Sequence, residues 1–199
     1  SKAELLSVLA YNTNQDSLTI LNGYKDQDYI RLALLGLKLK RKVIFVVEKF
    51  SELSALIEIS KEQNIEPMIG LRMRMMAKGR GKWENSSGIR AKFGLSIAEI
   101  LKAVKLLEQE GLKHCIRMLH FHIGSQITSL TPFKNLCIRV NELNRWFNDR
   151  NITIEHLNMG GGLGIDYQNP AENPIPNFEK YFDVFNEFLE PLPHQEIHF

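Results

Sequence analysis

Apolar positions along this chain alternate between two rhythms, one of helical spacing and one of short continuous runs. Leu5, Leu6 and Leu9 share one face of a helix over 1–10, opened by the capping-box sequence Ser1-Lys2-Ala3-Glu4. Leu18–Leu21 is a short apolar strand, ended by the turn pair Asn22-Gly23. Ile30, Ala33, Leu34 and Leu37 then recur at i, i+3, i+4 and i+7, as in an amphipathic helix. The β-branched run Val43–Val47 suits a strand buried on both faces of a parallel sheet. Leu53, Leu56, Ile57 and Ser60 predict a further helix, and Met68–Met73 a further strand. A second capping box, Ser96-Ile97-Ala98-Glu99, precedes a stripe of Ile97, Ile100, Leu101, Val104 and Leu107. A strand over Ile116–Ile123 follows. Thr131-Pro132 then opens a helix as cap and N1 proline, with Phe133, Leu136, Cys137, Val140 and Leu143 on its apolar face. The run Ile152–Met159 predicts the next strand, Phe178–Leu189 the last helix, and Glu196–Phe199 a terminal strand.

Six strands with helices between them predict a parallel sheet of βα units. A doubly wound sheet holds six strands; a (β/α)₈ barrel needs eight, in about 250 residues. The 199 residues begin inside a helix and stop on a strand, so both ends read as cut. The expected fold class is therefore α/β, a partial (β/α)₈ TIM-like barrel comprising roughly strands three to eight.

Composition changes this picture little. Apolar residues make up 44% and charged residues 24%, which is ordinary for a globular domain, and the net charge of +2 gives no reason to expect a nucleic-acid partner. No apolar run approaches membrane-spanning length, so no membrane partner is expected. Two cysteines, Cys115 and Cys137, make no disulfide framework and favour a reducing cytoplasm. The longest loop, 75–93, carries Lys78, Arg80, Lys82, Arg90 and Lys92 against one acid, Glu84. Trp83 and Phe93 are too few aromatics for base stacking, so a solvated active-site or interface loop is expected.

Candidate chemistry gathers at two strand ends. The strand over Ile152–Met159 runs into Gly160-Gly161-Gly162-Leu163-Gly164, four glycines within five residues. Glycine permits positive φ and lets backbone N–H groups approach a ligand closely, which suits a phosphate; a tight turn with no ligand is the plain alternative. In a barrel of the expected count this loop follows strand seven, where phosphate groups bind. Upstream, His120-Phe121-His122-Ile123-Gly124-Ser125 lies at a strand's C-terminal end, the catalytic rim of a barrel. Residues two apart on a strand share a face, so His120 and His122 suit either a metal pair or an imidazole that packs on a flat ligand or shuttles a proton. No third metal ligand is evident beside them, because His114 lies at the other end of the strand, and a structural role suits His120. Ser125, just past the rim with Gly124 before it, is a hydroxyl able to donate a hydrogen bond to a phosphate, a weak signal by itself.

These motifs together resemble the pyridoxal-phosphate barrel decarboxylases of the alanine-racemase-like fold type III. His122-Ile123-Gly124-Ser125 followed by a strand ending in Gly160-Gly161-Gly162 carries the resemblance. More closely, Ser1–Leu5, Asn22–Asp26, Tyr29–Ala33, Gly81–Trp83, Lys92–Leu95 and Gly160–Tyr167 are similar to the bacterial biosynthetic arginine decarboxylases, and these runs cover nearly the whole chain.

The resemblance implies a lyase that releases carbon dioxide from arginine, leaving agmatine for polyamine and spermidine synthesis, with pyridoxal 5'-phosphate as cofactor and Mg²⁺ as a further requirement whose site is unknown. It makes His122 a catalytic residue stacking on the cofactor ring. Ser125, Gly160, Gly161 and Gly162 hold the phosphate, and the substrate segment comprises Leu157, Asn158, Met159, Gly160, Gly161, Gly162, Leu163, Gly164, Ile165, Asp166 and Tyr167. Asp166 is the carboxylate suited to a guanidinium. The intact enzyme is expected to be a homo-oligomer. The residues 1–199 are expected to form an incomplete cofactor-binding barrel domain, without the first two strands, the lysine that bonds the cofactor, the acid facing the ring nitrogen, or the C-terminal β-domain. On that count the piece alone is expected to be inactive. A diaminopimelate or carboxynorspermidine decarboxylase, or a non-catalytic pyridoxal-phosphate-binding homologue, is the alternative.

Overall fold

The computed structural model describes residues 1–12, 14–75, 93–164 and 177–199. Helices and strands alternate as α1 (Lys2–Tyr11), β1 (Leu18–Leu21), α2 (Gln27–Lys38), β2 (Lys42–Val47), α3 (Phe50–Gln63), β3 (Met68–Met73), α4 (Ile97–Gln109), β4 (Ile116–Phe121), α5 (Thr131–Asn148), β5 (His156–Asn158), α6 (Phe178–Phe188) and β6 (Glu196–His198). Strand neighbours follow chain order from β1 to β6. The register is parallel where β1 meets β2 (Leu18 beside Lys42), β2 meets β3 (Ile44 beside Met68) and β5 meets β6 (His156 beside Glu196). A doubly wound sheet reverses its strand order at a switch point; this one does not, as in a barrel sheet. The expected partial (β/α)₈ class is thereby met.

The residues group into two compact units, Ser1–Met73 with Phe93–Leu119, and a second built on His120–Phe199. In the first, both capping boxes form: Ser1 caps Glu4 and Ser96 caps Glu99, each glutamate reaching back to its cap residue. Residues 43–47 of β2 are all buried, which accounts for their unbroken apolar run. Ile44, Val46 and Met118 form one cluster, with Leu18, Ile20 and Met68 against it. Gly70 makes room there, since a Cβ on it would sit 3.2–3.3 Å from Ile44, Met118 and Val46.

The second unit packs α5 on α6 through aromatic edges. The Phe133 ring meets Tyr181 at 4.9 Å and Phe185 at 5.9 Å, both in T-shaped contacts. Polar side chains fix the rest: Asn144 and Gln195 exchange two amide bonds of 2.9 and 2.8 Å, and Asn141 donates to the Phe188 carbonyl at 2.8 Å.

Three expected boundaries shift. The α5 cap is Leu130, without a side-chain bond, so Thr131 is already inside the helix and Pro132 follows it. β4 stops at Phe121 rather than Ile123, so His122 lies past the strand and the two-residue alternation does not reach it. β5 keeps only His156–Asn158 of the predicted Ile152–Met159. Ile152 is buried, but its N–H bonds the Phe147 carbonyl at the end of α5. The carbonyl of Ile154 accepts the Gln195 side chain instead of a neighbouring strand.

Candidate functional site

The glycine turn after β5 is built on the loop after β4. Asn158 starts it by accepting the Gly160 N–H on Oδ1 at 3.0 Å, an Asx-type turn two residues long. Gly160 takes φ +72°, and a Cβ there would stand 2.3 Å from the Phe121 carbonyl oxygen and 3.0 Å from His122 Nδ1. Gly162 takes φ +97°, and its Cβ would stand 1.8 Å from the Gly124 oxygen. Backbone lies against backbone at both positions, so only glycine fits. Gly161 between them is different, because a Cβ there meets nothing within 4 Å.

This packing brings the candidate residues together. The Gly161 N–H points at His122 Nδ1 at 3.4 Å. An Nδ1 that accepts is unprotonated, so in neutral His122 the ring proton sits on Nε2. Ser125, exposed, places its Cα 3.5 Å from the Cβ position of Gly162. Two backbone bonds tie the loops one step further on, Ile127 N–H to the Gly162 carbonyl at 2.9 Å and Gly164 N–H to the Ile127 carbonyl at 3.0 Å. The same Ile127 carbonyl accepts the Tyr181 hydroxyl at 2.7 Å. Burial pushes the Tyr181 hydroxyl pKa up, so it stays a donor into alkaline conditions. His120 is buried, consistent with the structural role expected of it.

The substrate segment divides. Leu157 and Met159 are core side chains, fully buried, so a ligand meets these two only through backbone. Leu163 bridges to Ile127. Ile165, Asp166 and Tyr167 lie outside the described residues, as do Lys78, Arg80, Lys82, Trp83, Glu84, Arg90 and Lys92 of the basic loop.

In the first unit the structure adds a constellation that sequence reasoning missed, at the C-terminal ends of β1, β2 and β3. Glu48 accepts from Arg72 Nη1 at 2.6 Å and from the Gly23 N–H at 3.2 Å. Glu52 accepts from the N–H groups of Glu48, Lys49 and Lys25, at 2.9, 3.3 and 3.3 Å. Lys25 Nζ donates to the Gly23 carbonyl at 2.5 Å and lies 3.8 Å from Glu52 Oε2. Lys25, Glu48 and Glu52 are all buried. Burial lowers the Lys25 pKa against the pull of Glu52 and Glu48. Burial alone would raise the Glu48 pKa, but the Arg72 hydrogen bond and charge, the Gly23 N–H and Lys25 outweigh it, and the carboxyl ends below its ordinary value. The available signal was a charged residue at the end of each of three apolar strands.

Residues 1–198 match the family model described as the pyridoxal-binding domain of the pyridoxal-dependent decarboxylases. The chain belongs to that family. Among its curated relatives, it is 42% identical over 167 residues to the biosynthetic arginine decarboxylase of Bacteroides thetaiotaomicron, covering 84% of this chain and 26% of that protein. To the enzyme of the same name from Neisseria meningitidis it is 40% identical over 171 residues. The solved biosynthetic arginine decarboxylase of Campylobacter jejuni aligns over all of this chain and 33% of its own, with a TM-score of 0.73 and 31% identity. A diaminopimelate decarboxylase from M. jannaschii aligns with a TM-score of 0.77 at 23% identity, a likeness of fold. The chain thus spans about a quarter to a third of the length of the biosynthetic arginine decarboxylases it matches.

As a pyridoxal-binding domain of this family, the chain needs a seat for a phosphate and a flat surface for a ring. The side-chain-free turn at Gly160–Gly162, with open space at Gly161, and the imidazole beside it fit that cofactor. Magnesium fits less well. Among the described residues the two clusters of potential metal ligands, Glu66/His114/Cys115 and His156/Glu196/His198, each include nitrogen or sulfur, whereas Mg²⁺ takes oxygen. Also among the described residues, no helix is long and apolar enough to cross a membrane.

Proposed function

We propose that the protein containing this chain decarboxylates arginine to agmatine and carbon dioxide with pyridoxal 5'-phosphate, a step toward polyamines. The observation that carries the substrate is the 42% identity to a biosynthetic arginine decarboxylase across most of the chain. The cofactor assignment is supported by the family and by the Cβ-free turn on the β4 loop.

Each residue then has a task. Gly161 and Gly162 would offer backbone N–H groups to the phosphate, and Gly160, whose own N–H is taken by Asn158 Oδ1, shapes the turn that presents them. The Gly161 N–H is held only at 3.4 Å by His122, a long bond that an anionic oxygen displaces readily. Ser125 adds a hydroxyl beside Gly162. His122 supplies the flat imidazole that would pack against the ring and orient it. The bound cofactor supplies an electron sink for the pair left behind when the α-carboxylate departs as carbon dioxide. Asp166 enters on its charge, as the carboxylate of the substrate segment able to accept a guanidinium fork. Magnesium belongs to this reading only through the resemblance, and no step uses it. The oligomeric assembly and a cytoplasmic setting are also part of the proposal, the latter supported by Cys115 and Cys137, both free, buried and with thiols pushed up to about 11.

Agmatine and carbon dioxide release by the intact protein, assayed across arginine, diaminopimelate and carboxynorspermidine, tests this directly. Turnover of arginine is expected, and turnover confined to another substrate overturns the assignment. Asp166→Asn should raise KM for arginine about 10-fold or more, the scale of one charge-assisted pair of hydrogen bonds, while leaving cofactor binding intact. An unchanged KM removes Asp166 from the site.

A further inference from the structure

We propose a transition-metal site, of the kind zinc occupies, formed by His156, Glu196 and His198 on the paired strands β5 and β6. His156 Nδ1 lies 3.1 Å from His198 Nε2 and 3.4 Å from Glu196 Oε2, and the latter two atoms are 3.9 Å apart. Zinc binds imidazole nitrogen and carboxylate oxygen at about 2.0–2.2 Å. Tetrahedral geometry then separates any two ligand atoms by about 3.4 Å, the bond length multiplied by roughly 1.6. The three observed distances bracket that edge, so one ion fits between the three atoms with its fourth position open.

The backbone sets this triangle. Parallel pairing puts His156 directly beside Glu196 and Asn158 beside His198. Residues two apart on a strand share a face, so Glu196 and His198 both project on the side of His156. Glu196 N–H bonds the Glu155 carbonyl at 2.8 Å, and Met159 N–H bonds the His198 carbonyl at 2.8 Å, which locks the register from both ends. The side chains are graded in exposure: 12% for His156, 27% for His198 and 71% for Glu196. Two imidazoles are thus held by packing, and the open carboxylate leaves an entry path.

The chemistry also favours a cation. Two imidazole nitrogens 3.1 Å apart accommodate one hydrogen between them, and protonating both would set two positive charges face to face. A soft-to-borderline divalent ion accepts both lone pairs at once and is neutralised in part by Glu196. Two nitrogens and one oxygen suit zinc, cobalt or nickel and not magnesium. The other cluster, Glu66/His114/Cys115, is a poorer candidate because Glu66 and His114 are both exposed and no packing holds their side chains in place.

The test is titration of the intact, untagged protein, stripped with chelator, with Zn²⁺ by calorimetry and with Co²⁺ by visible absorption. The expected result is one tight equivalent of Zn²⁺, displacing Co²⁺ whose bands have tetrahedral intensity. His156→Gln and Glu196→Gln should each weaken Zn²⁺ binding by more than about 10-fold, at or beyond the loss seen when only a ligand's supporting partner is removed. His114→Ala should leave it unchanged. Failure of the unsubstituted protein to bind Zn²⁺ stoichiometrically overturns the site, as does full affinity in both Gln variants. Loss of binding in His114→Ala transfers the ion to the other cluster and equally overturns it. Circular dichroism of each variant separates lost ligands from lost fold.

Discussion

The two units solve the problem of presenting polar groups at strand ends in opposite ways. In the first, Lys25, Glu48, Glu52 and Arg72 fill the space with charge, and each carboxylate is met by backbone N–H groups as well as a cation. In the second, Gly160 and Gly162 let backbone pack directly on backbone, Gly161 opens on empty space, and the working groups are backbone amides beside one imidazole. A filled site depends on every partner being present, because a buried charge that loses its partner has nowhere to turn. An empty site depends on nothing being added. Removal should therefore damage the first region and addition the second.

The largest effect is expected from removal. Glu52→Ala strips the acceptor from three N–H groups, two of them buried, and a counter-charge from Lys25, and should cost about 3–5 kcal/mol of stability in urea unfolding. A loss below about 1 kcal/mol would mean that the network is decorative. Addition comes next. Gly162→Ala forces a Cβ to within 1.8 Å of the Gly124 oxygen at φ +97°, and should cost about 2–3 kcal/mol and abolish cofactor retention. Gly161→Ala adds the same atom into open space and should stay within about 0.5 kcal/mol. Equal effects at the two glycines would erase the contrast.

The smallest effect is the pH dependence that the charged region contributes. The Glu48 pKa is depressed in the fold, so its contribution is fully present above the ordinary value of 4.5 and is lost as pH falls through the lower folded value. Lys25 works in the opposite range: its depressed pKa makes the charged form costly, and that cost is relieved as pH rises toward its ordinary 10.5. Acid unfolding followed by fluorescence should show a shallower slope below about pH 4.5 in Glu48→Gln, and an unchanged slope would assign the acid sensitivity elsewhere.

The same contrast governs what could be read from sequence. The glycine turn was legible because absence of side chains is a local pattern, visible in Gly160-Gly161-Gly162 and in the apolar strand before it. β1 and β3 were legible to the residue, since Leu18–Leu21 runs into the turn pair Asn22-Gly23 and Met68–Met73 starts directly after Pro67. The charged network was not, because a lone Lys25 or Glu52 reads as surface until the fold brings together residues 27 apart in the chain. The shortened β5 was misread for a related reason. Ile152 and Ile154 are as buried as strand residues, but the partners of their backbone groups, Phe147 and Gln195, are set by α5 and by a side chain from the turn before β6. A histidine pair along one strand, such as His120 and His122, shows in the sequence, whereas the candidate ligands His156 and His198 sit across two strands.

The carbonyl of Ile127 receives both the Gly164 amide and the Tyr181 hydroxyl, which uses its two lone pairs. In hydrogen-exchange terms, Gly164 should be shielded while Gly161, held by a long bond on an exposed turn, trades its proton freely. A molecule that settles on the turn would be felt as slowing at Gly161 with little change at Gly164. The chain thus carries its own paired reporter, one amide that senses occupancy and a neighbour that registers whether the turn is still tied to the Ile127 loop.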